Sequence, residues 1–375
     1  MAAMHWLKRK WWRVRSSVIS GVQVVALLKD PSFWRSYYPE APRKTKLMAG
    51  LDLLYWTIRY REFNRGYFLR GLDRVHAPAA VRLSEKRFRR TRDQRNSNPQ
   101  SVSPFYEGKY NYLSLTRDKF LFGQYLTSLD LPTPENLAVL TRHSVAWADG
   151  SGSAPLMALV ERYEDLDGFC KPVDGILGQK AFAVAIRSGN LKIDADSASV
   201  SELGERLDGR YLLQRAIVQH PDMSALHPGS VNTLRVVSVR TRSGDIEVLS
   251  ATLKSGVHGG RTDNPASGGL AIAVDIESGR AVGDGFFKPG KGWRVSTHPD
   301  TNVRFDGFQI PNFVKALSLA MQAHRYFYGL HSIGWDLAFS SEGPLIIEGN
   351  DDWGMPIFLT DRFRDRFRDL FEDSR

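Results

Sequence analysis

Three polar residues, Asp336, Glu348 and Asn350, interrupt two apolar stretches, GWDLAF and LIIEGN, that otherwise read as the strands of a hairpin. Asp336 and Glu348 are equidistant from position 342, inside the turn SSEGP. A hairpin closing symmetrically there makes them cross-strand partners, and Glu348 and Asn350 then share a face. Like charges directly opposed on a sheet repel. A hard divalent cation removes the repulsion, because Mg2+ takes one or two carboxylates together with phosphate oxygens. The alternative, a solvated hairpin face, sits badly with flanks as apolar as Ile333, Leu337, Phe339, Leu345, Ile346 and Ile347.

A second group of residues points to phosphate. In FCKPVDGILGQK, Lys171 lies near the end of an apolar strand and is followed by Gly175 and Gly178. Glycine turns let backbone N–H groups approach phosphate oxygens, and a nearby lysine adds a point charge. The spacing is neither that of a Walker A loop nor that of a dinucleotide fingerprint. YLLQRAI, residues 211–217, is an apolar strand holding Gln214.

The elements that must position these residues follow from periodicity. Residues 117–130 read as a helix entered at RDKF, and LPTPENLAVL as a proline-bounded turn into a short strand. Residues 168–186 read as strand, glycine turn, strand; Thr233–Arg242 and Ile246–Lys254 read as a hairpin around Ser-Gly-Asp. A helix is expected from Pro311, with Phe313, Val314, Leu317, Ala320 and Met321 as its apolar stripe. Phe363, Phe367, Leu370 and Phe371 form the stripe of a C-terminal surface helix. Residues 1–80 look helical, and Leu47, Met48, Leu51, Leu54, Tyr55 and Ile58 give them one clean apolar face. Residues 84–104, polar, charged and closed by Pro104, have the composition of a linker.

In this order the motifs resemble the ATP-grasp superfamily over roughly residues 105–358. RDKF with Lys119 and LPTPENL resemble its entry, CKPVDGILG its strand lysine and glycine loop, LLQRAI its adenine strand, and WDLAF with IIEGN its magnesium set. SVNTLRVVSV, TDNPASGGLAIAVD, SIGWDLAF and LIIEGN resemble, more narrowly, the sugar-transfer-associated ATP-grasp group. The resemblance implies an α/β (α+β) fold of two lobes clasping ATP behind a helical N-terminal region. It divides the chain into a basic, Trp-rich start with linker (1–104), an entry segment (105–160), a lid (161–218), a subdomain with the Mg2+ site (219–360) and the terminal helix (361–375). It implies ATP and Mg2+ as cofactors, and a ligase that activates a carboxylate as an acyl phosphate for attack by an amine or other nucleophile, within polysaccharide or sugar-conjugate biosynthesis. Lys119, Lys171, Gly175 and Gly178 would then hold ATP phosphates, with Gln214 at the adenine. Asp336, Glu348 and Asn350 would hold Mg2+. Arg235 would face the transferring phosphate and Asn264 would shape the acceptor site, with Arg261, Lys288 and His220 as weaker candidates. The chain departs from the pattern in its lean loop GILGQ and in carrying Gln214-Arg215 where many relatives place an acid. An ATP-grasp kinase and a silent, membrane-associated scaffold are the alternatives; the intact set Lys171, Asp336, Glu348 and Asn350 argues against the scaffold.

The 375 residues carry a net charge of +10, which favours an anionic partner. One cysteine, Cys170, precludes an intramolecular disulfide and fits the reducing cytoplasm. The apolar run Val18–Leu28 is interrupted, shorter than the ~20 residues of a membrane span, and followed by Lys29-Asp30-Pro31 rather than a cleavage site. HWLKRKWWRVR interleaves Trp6, Trp11 and Trp12 with five cations. Two readings are open for it: peripheral contact with an anionic membrane at the inner face, or a helix docked on the core. Residues 82–95 are arginine-rich, but no RNA- or DNA-binding module accompanies them, which argues against nucleic acid.

Overall fold

The computed structural model describes residues 24–97, 112–175 and 180–372. The described residues form two antiparallel sheets. Strands β1 (Asn136–Leu140), β2 (Ser144–Trp147), β3 (Ser153–Pro155), β4 (Asp165–Pro172), β5 (Phe182–Arg187), β6 (Asn190–Ile193), β7 (Asp196–Ser197) and β8 (Tyr211–Arg215) make the first, in the order β3-β2-β1-β8-β4-β5-β6-β7. The second contains β9 (Thr233–Arg240), β10 (Ile246–Ser255), β11 (Leu270–Val274), β12 (Ala281–Phe287), β13 (Arg294–Val295), β14 (Ser332–Ser340) and β15 (Gly343–Asn350), ordered β13-β12-β11-β10-β9-β14-β15. Each sheet has its own apolar core. Leu140, Val145, Ile186 and Leu213 are buried in the first; Leu234, Val236, Ile272, Ile333 and Trp335 are buried in the second.

Five helices bear on the site or on the surface. They are α1 (Lys46–Tyr60), α2 (Glu85–Ser97), α3 (Lys119–Ser128), α4 (Phe313–Tyr326) and α5 (Asp361–Phe371). Helix α3 starts where it does because the Asp118 carboxylate accepts from the Phe120 and Leu121 amides, both at 3.0 Å. The Lys119 amide bonds to the Val173 carbonyl at 3.0 Å, which docks that helix end on the exit of β4. Helix α5 buries the expected stripe of Phe363, Phe367, Leu370 and Phe371 against Phe88, Val237, Val239 and Trp353.

Three expectations are corrected. Within the segment that reads as a linker, residues 85–97 are helix α2, and its Asn96 ties down both ends of the 332–350 hairpin. The Asn96 amide donates to the Ser332 and Asp351 carbonyls at 3.0 and 2.8 Å, and its oxygen accepts from the His331 and Ser332 amides. Composition misleads there because α2 is charged almost all round, with Phe88, Arg92 and Asn96 as its buried residues. Helix α4 begins at Phe313 rather than Pro311, since Asn312 adopts a left-handed φ of 50°. Its buried stripe is Phe313, Ala316, Leu319, Ala320 and Ala323, while Val314 is exposed. Helix α1 turns its clean apolar face to solvent: it buries Ala49, Leu53 and Trp56, and Leu47, Met48, Leu51, Leu54, Tyr55 and Ile58 are exposed. Cys170 is buried, and burial pushes its thiol pKa up.

Candidate active site

A cleft of about 240 Å³ lies between the two sheets. From the first sheet and its flanks it is lined by Lys119, Phe169, Lys171, Gly175 and Gln214; from the second by Thr233, Lys254, Asp263, Asn264, Asp336 and Glu348.

Its floor is set by strand register. Thr252 pairs with Arg235, Arg235 with Asp336, and Asp336 with Glu348, so one row runs across β10, β9, β14 and β15. The carboxylates are therefore cross-strand partners, but the hairpin does not close symmetrically. Ser340 pairs with Gly343, Leu337 with Ile346, and a bulge between that pair and Asp336–Glu348 takes up Ile347. Asn350 lies two pairs further on, opposite Gly334, and its side-chain amide donates to the Gly334 carbonyl at 3.2 Å.

The two carboxylates differ in what holds them. Arg235 donates to both oxygens of Asp336, at 2.6 and 2.8 Å, and Lys254 sits 2.9 Å from Oδ1. Burial pushes the Asp336 carboxyl up, but the charges of Arg235 and Lys254 outweigh it and hold it well below the usual carboxylate range. Asp336 in turn outweighs the burial of Arg235 and raises the guanidinium pKa. Glu348 is more open, 29% exposed against 9% for Asp336, and its cationic contact is Lys119 at 3.5 Å. Lys119 also donates to the Gly175 carbonyl. Lys171 is buried; burial first, and Lys119 after it, bring its ammonium down to about 8 against the pull of Glu348 and Asp336.

The other expected residues are placed as follows. Gln214 is buried in the cleft wall, its amide donating to Asn136 Oδ1 at 2.8 Å. Asn264 lines the cleft and caps the turn Pro265–Ser267 by accepting from the Ala266 amide at 2.8 Å. Arg261 lines the rim and pairs with Asp194 of the first sheet's β6–β7 turn. Arg235 is committed to Asp336 and does not appear in the lining. His220 caps the helix Pro221–Leu226, its Nδ1 accepting from the Asp222 amide at 3.2 Å. Lys288 is exposed and is not among the lining residues, although the charges of Arg235 and Lys254 reach its ammonium. Gly178 lies outside the described residues.

Sequence reading missed Lys254 and Asp263. Lys254 could have been found by period: it is two residues beyond Thr252, the partner of Arg235, and so falls on the same face. Asp263 accepts from the Thr233 amide at 2.9 Å and from its hydroxyl, and lies 3.9 Å from Lys254. It comes from a loop, where no periodicity marks it.

A cleft between two α+β lobes, with Lys119 and Lys171 on one wall and the paired carboxylates Asp336 and Glu348 on the other, is the arrangement that an ATP-grasp resemblance implies. Residues 100–361 match the family described as sugar-transfer associated ATP-grasp, and the chain belongs to that family. No curated protein matches the sequence. Similar solved structures include the N5-carboxyaminoimidazole ribonucleotide synthetase of Thermotoga maritima, at 13% identity over 72% of this chain and 55% of that one, with a TM-score of 0.39. They also include an L-amino acid ligase from Bacillus licheniformis, at 14% identity over 64% and 41%, with a TM-score of 0.34. A third is the D-alanyl-alanine synthetase A of Vibrio cholerae, at 12% over 68% and 60%, with a TM-score of 0.37. The chain spans less than two thirds of the length of each.

Proposed function

We propose that the cleft binds ATP with Mg2+ and that the protein is an ADP-forming ligase, joining an activated carboxylate to an amine or similar nucleophile in the building of a cell-surface polysaccharide or sugar conjugate. The family description is what supports the polysaccharide setting. The observation that carries the reaction is the opposition of Asp336 and Glu348 across the cleft from Lys119 and Lys171.

The residues fit a hard cation. Glu348 is the less neutralised carboxylate, and the Asn350 side chain donates through its nitrogen, leaving its oxygen as a ligand. Arg235 and Lys254 both engage Asp336 Oδ1 and fix its orientation, and Oδ2, which accepts from Arg235 alone, has a lone pair left to complete the oxygen set. Mg2+ bound there would neutralise charge on the phosphate oxygens. Lys171 and Lys119 hold the phosphates from the other wall. In the first step an oxygen of the substrate carboxylate attacks the γ-phosphorus, the bond from that phosphorus to the bridging oxygen breaks, and ADP leaves. In the second the nucleophile's nitrogen attacks the acyl carbon, inorganic phosphate leaves, and the nitrogen gives its proton to solvent or phosphate. Lys254, held by Asp336 and lining the cleft, is the cation placed to stabilise charge on the acyl phosphate, and Asn264 borders the acceptor side.

The test is calorimetric titration of the full chain with ATP, with and without Mg2+, on the wild type, Lys171→Ala and Glu348→Ala. Wild type should bind ATP more tightly with Mg2+, Glu348→Ala should lose the Mg2+ dependence, and Lys171→Ala should lose affinity in both conditions. Mg2+ dependence that survives in Glu348→Ala would refute the carboxylate assignment.

A further inference from the structure

Helix α1 has two apolar arcs. Ala49, Leu53 and Trp56 pack with Phe33, Tyr67, Phe68 and Phe286, against the same sheet that carries the carboxylates. On the far side Leu47, Met48, Leu51, Leu54, Tyr55 and Ile58 are each 52–74% exposed. At 100° per residue these six fall in one continuous arc, spaced i, i+4, i+7 and i+11 from Leu47 to Ile58. A helix that is apolar on both faces is covered on both faces. Six adjacent, mostly exposed large apolar side chains make a patch of the size that marks an interaction surface.

We propose that this arc is a membrane-docking face, lying in the interface of an anionic bilayer. Charge supplies the argument for the occupant. Exposed cations rim the arc, with Lys46 and Arg59 on the helix and Arg43, Arg61 and Arg65 at its ends. The one acid of α1, Asp52, is bonded to Lys44 at 2.5 Å and to the Tyr67 hydroxyl at 2.7 Å. A second copy laid arc to arc would bring two cationic rims together, and Asp52, the acid of each helix, is already paired with Lys44. A surface of anionic headgroups over acyl chains answers both the rim and the arc. The sequence leading into this region carries Lys8, Arg9, Lys10, Arg13 and Arg15 with three tryptophans and no acid through residue 15, which adds to the same attraction. Among the described residues no helix is long and apolar enough to cross a membrane, so the face lies on the bilayer rather than in it.

The experiment uses the full chain with vesicles of phosphatidylcholine containing about a third phosphatidylglycerol, at low salt. Because Cys170 is fully buried, a Leu51→Cys variant can be labelled at that position with an environment-sensitive dye. The dye should report water in the free protein and shift to an apolar signal with anionic vesicles but not with neutral ones. The double variant Leu51→Asp/Ile58→Asp, both at exposed positions, should keep its melting temperature and lose at least tenfold in vesicle affinity. An apolar dye signal without vesicles would mean that residues 1–23 or a second copy already cover the arc, and would overturn the proposal. So would failure of the wild type to bind, or a double variant that binds like wild type. None of these readouts depends on ATP, so they stand or fall apart from the ligase reading.

Discussion

On the seven-stranded sheet Asp336 meets Arg235 and Lys254 within 2.9 Å, and the three charges close on one another before any ligand arrives. Beside it on the same sheet, Glu348 has Lys119 alone at 3.5 Å, and across the cleft Lys171 has no carboxylate within ion-pair distance among the described residues. Asp336 is thus answered by cations of its own sheet, and these charges act by holding geometry. The facing wall keeps cationic charge unanswered, at the cost visible in the lowered ammonium pKa of Lys171. A polyanion binding between the two walls is oriented by the first and attracted by the second.

The contrast breaks most sharply at Asp336. Asp336→Ala leaves Arg235 without its acid and Lys254 with Asp263 at 3.9 Å, and should destabilise the fold by about 3–5 kcal/mol in denaturant titration, whereas Glu348→Ala should cost less than about 1 kcal/mol. Equal losses would erase the distinction between the two carboxylates.

Acid should also unfold the seven-stranded side first. His324, bonded to Ser238 at 2.7 Å, and His331 are buried and neutral, and burial brings each down to about 3 from 6.5. Their folded pKa values are depressed, so the unfolded chain takes up protons that the folded one refuses. The stability they contribute is complete above 6.5 and falls as the pH drops toward 3. At pH 5 each should cost about 2 kcal/mol. Hydrogen exchange at pH 7 and pH 5 should show protection falling in β9 and β14 before β4 and β8.

On the cationic wall, Lys171→Ala should weaken ATP binding by about 1.5–3 kcal/mol, roughly 10- to 150-fold. Burial brings the Lys171 ammonium down to about 8, and a bound phosphate should raise it again. Wild type should therefore take up protons on binding ATP at pH 8–9, read by calorimetry in buffers of different ionisation enthalpy, and Lys171→Ala should not. The smallest effect belongs to the rim, where the half-exposed Arg261 pairs with Asp194. Arg261→Ala should change stability by less than about 1 kcal/mol.

The carboxylate pair was legible because period and turn composition specify a hairpin, yet the arithmetic behind it worked for a different reason. A tighter turn at Ser341-Glu342 and a bulge at Ile347 shift the register by compensating amounts. The lysine wall was legible from Lys171 and Gly175, and the order of motifs made the fold class readable. Asp263 was not, since a loop residue reaches Thr233 by a path that no local pattern records. Nor was the exposed side of α1: two apolar arcs on one helix do not say which is buried, and that depends on Phe33, Phe68 and Phe286 arriving from elsewhere. Helix α2 hid because its anchoring residues are Arg92 and Asn96, polar groups that composition assigns to solvent.

The row through Arg235, Asp336 and Glu348 also has a consequence for synthesis. Strand β9 lies between β10 and β14, and β14 is made about a hundred residues after Arg235, a delay of several seconds at ribosomal speeds. Until it emerges, β9 is the open edge of a growing sheet, where stray pairing with another nascent chain would start. Arg235 then stands on that edge as an unpaired cation, the kind of residue that discourages such pairing. The guanidinium that later orients the carboxylate first serves as a guard on the unfinished sheet.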